Sequence, residues 1–430
     1  MFETIKNAWK IADLKKKLLF TALFLLIFRI GCHIPVPGLV EEAFKKLIEG
    51  NQLFGFMDTF SGGAFSRASL FAMSITPYVN ATIILQLLTI AIPALERLQK
   101  EGAEGRKKIQ QYVRYLTVIL GFFQASMLFI SLRGNGTTTT SIYDGGTILS
   151  FFMITLSFTA GTAFIMWLGE SITEKGIGNG ISLIIFAGII ARAPSGFQNI
   201  LYYYQQGSLG SGIVGLIGLI LILGVFLVAI VGVIFVTQAE RRIPIQYAKR
   251  VVGRKMYGGQ STHLPIKVNM AGVIPIIFAM SLTTLPSIII GFAAPHTDSA
   301  FLQLLQKQGT PLHMAILAML IIFFTFFYTI IQFNPVEVAN NLKKNGGFIP
   351  GVRPGKPTSI YISNVLNRVT WFGGFFLAFI AIFPSILGVI FGMNVWFGGT
   401  ALLIVVGVAL DTVKQIESQM LMRHYKGFLD

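Results

Sequence analysis

The stretch FSGGAFSRASLFAMSITPYVNATIILQLL, residues 60–88, reads as a membrane helix interrupted by Gly62, Gly63, Ser66, Arg67, Ser74 and Pro77. A helix in lipid satisfies its own backbone, so chain breakers at membrane depth survive only against other protein or beside water. This segment is therefore expected to touch something other than lipid. The rest of the chain has membrane composition, with 53% of the 430 residues hydrophobic and 12% charged. A soluble domain carries about 25% charged residues. The long uncharged runs match the roughly 20 residues of a bilayer crossing. An all-α polytopic membrane protein follows.

Ten apolar spans are expected, over residues 18–34, 70–95, 116–132, 150–168, 181–193, 213–236, 271–294, 312–333, 371–392 and 396–411. The fifth is short and is expected to continue past its apolar stretch. The net charge of +16 invites a nucleic-acid reading, but the placement of the charge argues otherwise. With the N-terminus in the cytoplasm, 27 of the 34 Lys and Arg fall in inner segments, and the remainder are Arg29, Lys45, Lys46, Arg67, Arg133, Arg192 and Lys307. That asymmetry orients the spans and puts both termini in the cytoplasm.

Ten spans make two halves of five, and an odd number inverts the second half relative to the first. The expected organisation is a cytoplasmic N-terminal segment (1–17), a first half (18–193), an external hinge connection (194–211), a second half (212–411) with cytoplasmic loops at 238–267 and 334–368, and a cytoplasmic tail (412–430). Cys32 is the only cysteine, so no intramolecular disulfide can form. No small-x-small cleavage pattern follows residues 18–30, so a removable signal peptide is not expected.

Residues 54–73 are too short and glycine-rich to cross alone. Both a short re-entrant helix in the outer mouth of a cavity and an interfacial helix on the outer surface suit that composition. Ile75 and Val79 stand four residues apart, as do Ile185 and Ile189, so each pair shares a helix face. Periodicity alone assigns both pairs to core packing.

Enzyme chemistry is missing from the sequence. It contains no G-x-x-x-x-G-K-[ST] phosphate loop. Gly176-Ile177-Gly178-Asn179-Gly180 lies between two spans and reads as a turn, and the five histidines lack metal-ligand spacing. No enzyme activity, cofactor or metal is expected. A small-solute transporter is the main rival, but such proteins need ionisable groups near the midplane, and here Arg29 and Asp411 lie near span ends.

The opening stretch is followed by EGAEGRKKIQQYVRYLT (101–117), EKGIGNGISLIIFAGI (174–189), QAERRIPIQYAKR (238–250), LPIKVNMAGVIPIIFA (264–279), FIPGVRPGKPT (348–358) and GGTALLIVVGVALD (398–411). Together these words resemble the SecY family of protein-conducting channels, in order and over nearly the whole chain. The resemblance implies a bacterial cytoplasmic-membrane channel in which ten helices, in two inverted halves, surround an hourglass pore. Unfolded secretory polypeptides would cross it, and transmembrane segments would leave sideways into lipid.

Carried onto matching positions, the resemblance implies a waist of Ile75, Val79, Ile185, Ile189, Ile277 and Ile404, with Val79 standing where isoleucine is also expected. The plug helix would be Phe60, Ser61, Gly62, Gly63, Ala64, Phe65, Ser66, Arg67, Ala68 and Ser69. A lateral gate between spans two and three and spans seven and eight would contain Asn80 and Gln124. Arg241, Arg242, Lys249, Arg250 and Arg353 would dock the SecA motor ATPase or the ribosome. The implied partners also include the SecE and SecG subunits, signal-sequence-bearing polypeptides and membrane lipid.

Overall fold

The computed structural model of the chain describes residues 6, 8–39, 58–59, 61–134, 146–206, 213–247, 250–252, 255–257, 261–293, 310–391 and 399–426. Each of the ten expected spans falls on a helix. In chain order these are α1 (Ala12–Gly31), α2 (Thr76–Ala91), α4 (Ala103–Gly134), α5 (Gly146–Lys175), α6 (Gly180–Gln205), α7 (Ile213–Gln238), α8 (Ile274–Ala293), α9 (Pro311–Gln332), α11 (Lys356–Phe391) and α12 (Gly399–Lys426). Two shorter helices, α3 (Pro93–Lys100) and α10 (Pro335–Lys344), lie between them. Among the described residues, seven helices are long and apolar enough to cross a bilayer, and α2 with α3 makes an eighth broken by a 102° bend. The bend falls at Ile92, where Pro93 cannot supply the N–H that would continue α2. Asp13 and Lys15 to Lys17 crowd the start of α1 and make its first turns unsuited to lipid.

Several threonine hydroxyls inside these helices are satisfied by their own backbone. Thr82, Thr89, Thr117, Thr159, Thr325 and Thr370 each donate to the carbonyl four residues earlier, at 2.6–2.9 Å. That geometry lets a hydroxyl sit in an apolar bundle without an unmet hydrogen bond.

The chain divides into two compact units. The first comprises Met1–Ser208, Met280–Met314 and Val408–Asp430, and the second Leu209–Ala279 and Ala315–Gly407. In the first, α4 packs on α2 and α5, and α5 packs on α1 and α6. Arg114 of α4 holds Glu170 of α5 through Nη2 to Oε2 at 2.9 Å and Nε to Oε1 at 3.0 Å, with Gln110 donating to Oε1 at 3.2 Å. The Gly176–Gly180 stretch is a turn between α5 and α6, as its position between spans requires. Gly178 takes φ +89° and donates to Gln415, while Asn179 caps α6 by accepting from the Ile181 and Ser182 amides. The apolar run of span five was cut short by Arg192 and Pro194, yet α6 continues to Gln205, so the expected hinge connection begins as helix. Residues 207–212 lie outside the described residues.

The second unit adds strands that the all-helical expectation did not include. β1 (Glu240–Tyr247) pairs antiparallel with β4 (Ser261–Lys267) and with the short β5 (Gly347–Phe348), while β2 (Arg250–Val252) pairs with β3 (Lys255–Tyr257). Ile243 and Ile245 alternate inward from β1, joining Ile266, Leu342, Ile349, Ile362 and Leu366 in a small core. The two basic loops are thus one folded module, joined where Gln246 faces Phe348.

At Gly180 a Cβ would stand 2.0 Å from the Gly169 carbonyl oxygen and 2.7 Å from the Ile172 Cβ. Gly180→Ala is expected to cost about 1–3 kcal/mol by forcing α5 and α6 apart, read as a lower unfolding midpoint of the detergent-purified protein. Gly224→Ala, on α7 with nothing within 4 Å of the new methyl, is the control and should not lower it.

Candidate channel, plug and docking sites

The broken stretch before α2 is a packet of turns. Backbone at residues 58–59 is helical, residues 61–75 run through successive turns, and α2 starts at Thr76 with Pro77 in its first turn. Gly62 (φ +66°) and Gly63 (φ +87°) adopt left-handed conformations natural to glycine, whereas Ala68 (φ +47°) and Ser74 (φ +51°) hold them against steric preference. Such backbone persists where surrounding contacts determine it, and here they do. Ser66 N donates to Asp58 Oδ1 at 2.7 Å, Gly63 N to the Asp58 carbonyl at 2.9 Å, Phe65 N to Ser61 Oγ at 3.1 Å and Ser69 Oγ to the Ala64 carbonyl at 2.9 Å. Val36 N and Leu70 N make bonds of 2.9 Å to the Ala68 and Ile34 carbonyls, tying the packet to the chain after α1.

Apolar side chains seat the packet. Phe65, Ala68, Ala72 and Met73 are buried with Ala125, Leu128 and Phe129 of α4 and Ile154 and Phe158 of α5. A methyl group at Gly62 would lie 2.9 Å from the Gly188 Cα, so two glycines permit direct backbone contact with α6. Two arginines close the arrangement from different helices. Arg29 Nη1 of α1 donates to the Gly62 carbonyl at 2.6 Å. Arg192 of α6 forms an ion pair with Asp58 and donates from Nη2 to Ser66 Oγ at 3.2 Å. Arg67 keeps Nη1 buried without a hydrogen-bond partner among the described residues.

Of the ten plug positions, nine are described and lie in these turns, so the helix expected there is not continuous through them. Phe60 lies outside the described residues. The six residues expected at the waist are all buried. Ile75, Val79, Ile185 and Ile189 belong to the first unit, and Gly188, which Gly62 approaches, sits between the latter two. Ile277 and Ile404 belong to the second. There a Cβ on Gly407 would meet Val273 Cγ2 at 2.2 Å. Ile404 and Ile277 stand one turn along the chain from that close approach. Asn80 is buried with both amide atoms unpartnered among the described residues, and Gln124 is buried next to Ala125 on α4.

Arg241 and Arg242 are exposed on β1, with Arg242 Nε 2.7 Å from Glu240 Oε1. Arg250 opens β2, and Lys249 lies outside the described residues. Arg353 is exposed at a tip bounded by Gly351 (φ +81°) and Gly355 (φ +103°), and its carbonyl accepts from Thr358 Oγ1 at 2.8 Å. The shared core brings the strand of Arg241 and Arg242 and the tip of Arg353 onto one module, which their separation in sequence concealed.

Sequence reasoning missed Asp58, Gly188 and the holding roles of Arg29 and Arg192. The signal was present in the few cations left outside the inner segments. Arg29 and Arg192 both reach the turn packet, through Gly62 and Ser66, and Arg67 is part of it.

Comparison with known proteins places this geometry in a family. The family model described as SecY matches residues 69–413. The chain is 48% identical to the protein translocase subunit SecY of Thermotoga maritima, over all of this chain and 98% of the relative, and 49% identical to that of Halalkalibacterium halodurans over the whole of both. A solved protein-conducting channel matches with a TM-score of 0.64 at 19% identity, over 94% of this chain and 92% of the other. Sec61 in a canine ribosome-channel complex matches with a TM-score of 0.60 at 18% identity, over the same shares. The full-length identity to translocase subunits and the match over residues 69–413 establish that this chain belongs to the SecY family.

Proposed function

We propose that the chain is the channel-forming subunit of a bacterial protein translocase. It passes unfolded secretory polypeptides across the cytoplasmic membrane and releases transmembrane segments into lipid. The observation that carries this reading is the close approach of Gly62 in the turn packet to Gly188, between Ile185 and Ile189; it supports a stopper segment resting on a helix that supplies two of the proposed waist residues. The relatives named as translocase subunits support it and lend nothing to a small-solute transporter.

The mechanism follows from the residue types. A ring of Ile75, Val79, Ile185, Ile189, Ile277 and Ile404 offers an ion no oxygen to replace its hydration shell, so the constriction dewets and resists leakage. The same side chains touch a passing polypeptide without choosing its sequence. The two five-helix halves part about the connection near residues 194–211, and the unmet amide of Asn80, with Gln124, lowers the cost of parting because water in the opened path gives it a partner.

The β1–β4 module and the Arg353 tip form the cytoplasmic docking face. Its exposed arginines suit an acidic motor surface or ribosomal RNA phosphates. SecE and SecG complete the complex, and SecA or the ribosome drives it, since no nucleotide loop occurs in this chain. The Lys and Arg distribution supports cytoplasmic termini.

Deleting residues 60–69 should raise ion conductance of the reconstituted complex severalfold while leaving protein export partly intact; unchanged conductance would contradict the plug assignment. Arg353→Glu should lower motor-driven export by ~10-fold through charge reversal at a docking surface, with stability changed by less than about 0.5 kcal/mol because the residue is exposed. Normal export by that variant would remove Arg353 from the docking face.

A further inference from the structure

We propose that Asp58 and Arg192 form a charge latch that positions the plug in the closed channel. The inference rests on the plug reading above and assigns residues outside the 60–69 segment to holding it. Asp58 is 1% exposed, and its carboxylate receives both the Ser66 amide and the Arg192 guanidinium. Arg192 also donates to Ser66 Oγ, so one side chain grips both ends of the loop between residues 58 and 66. Its neighbour Arg29 hooks the Gly62 carbonyl between those ends.

The location gives the pair its role. Ile185, Ile189 and Arg192 are spaced i, i+4 and i+7 on α6, which puts them on one helix face. The latch therefore stands about one turn beyond the proposed waist, on the helix that the plug's Gly62 touches. A buried ion pair contributes little net stability compared with an apolar replacement, but removing one partner leaves an uncompensated buried charge. Such a pair is a poor glue and a good position marker. The seated arrangement satisfies both charges, a shifted plug inside the bundle satisfies neither, and a plug fully displaced into the watery mouth hydrates both. The latch thus favours closed or fully open positions over partly open, leaking ones.

The test is potassium efflux from vesicles containing the purified channel complex. Asp58→Asn keeps an acceptor for the Ser66 amide and removes the charge; Arg192→Gln removes the guanidinium. Each should raise closed-state efflux ~10-fold, and the double variant should leak no more than the worse single one, because both lose the same pair. Arg192→Lys should recover most of the seal. In a Cys32→Ser background, a Ser66→Cys probe should react faster with an external impermeant maleimide when Asp58→Asn is present. If deletion of 60–69 leaks while both single variants stay tight, the latch is wrong and the plug reading stands. If the double variant leaks as the product of the singles, the two residues act separately and the latch is also wrong. If the deletion itself stays tight, the plug reading fails and the latch fails with it.

Discussion

A bilayer interior has no water to offer a broken backbone, and the chain before α2 is broken for fifteen residues. The rest of the first unit answers that constraint. Glycines at 62 and 188 let two backbones meet, the chain after α1 supplies bonds to the packet at both Val36 and Leu70, and α4 and α5 close an apolar wall around Phe65 and Met73. The packet is thus held both by directed bonds and by the apolar seat of Phe65 and Met73. Under the proposed function, the breaks that spoil residues 61–75 as a membrane helix suit them to a channel stopper.

The proposed waist requires the opposite chemistry. Its six aliphatic residues are buried and carry no polar side-chain atoms, so closure by them would depend on shape and dewetting rather than on a specific bond. The polar interactions on the proposed plug segment come instead from the arginines of α1 and α6. Under the proposal, an unselective seal separate from a specific anchor allows the pore to accept many sequences while the stopper returns to one place.

Helix positions were legible because lipid imposes a coarse rule, and a run of apolar residues of sufficient length satisfies it almost alone. All ten expected spans fall on helices, and the GIGNG stretch is the turn its place between spans implied. Less was legible where tertiary pairing decides. RRIPIQY carries Pro244 inside what becomes β1, and its alternation is too short to announce a strand. Its partners are β4 at 261–267 and two residues at 347–348, so nothing local marks the sheet. Nothing local marks Asp58, because its partner lies 134 residues away on α6. Arg353 could be singled out because glycines and prolines frame it locally, but its membership of the same module as Arg241 depends on the shared core around Ile243 and Ile362.

The central claim is that a polypeptide passes the aliphatic waist. The most direct measurement is crosslinking of a stalled secretory chain to a cysteine introduced by Ile277→Cys in a Cys32→Ser background, which removes the only native thiol. A strong adduct that requires both the stall and a signal sequence is the predicted result. Absence of an adduct at Ile277→Cys and equally at Val79→Cys, in a complex that still assembles, would contradict the channel account and return the small-solute transporter to first place.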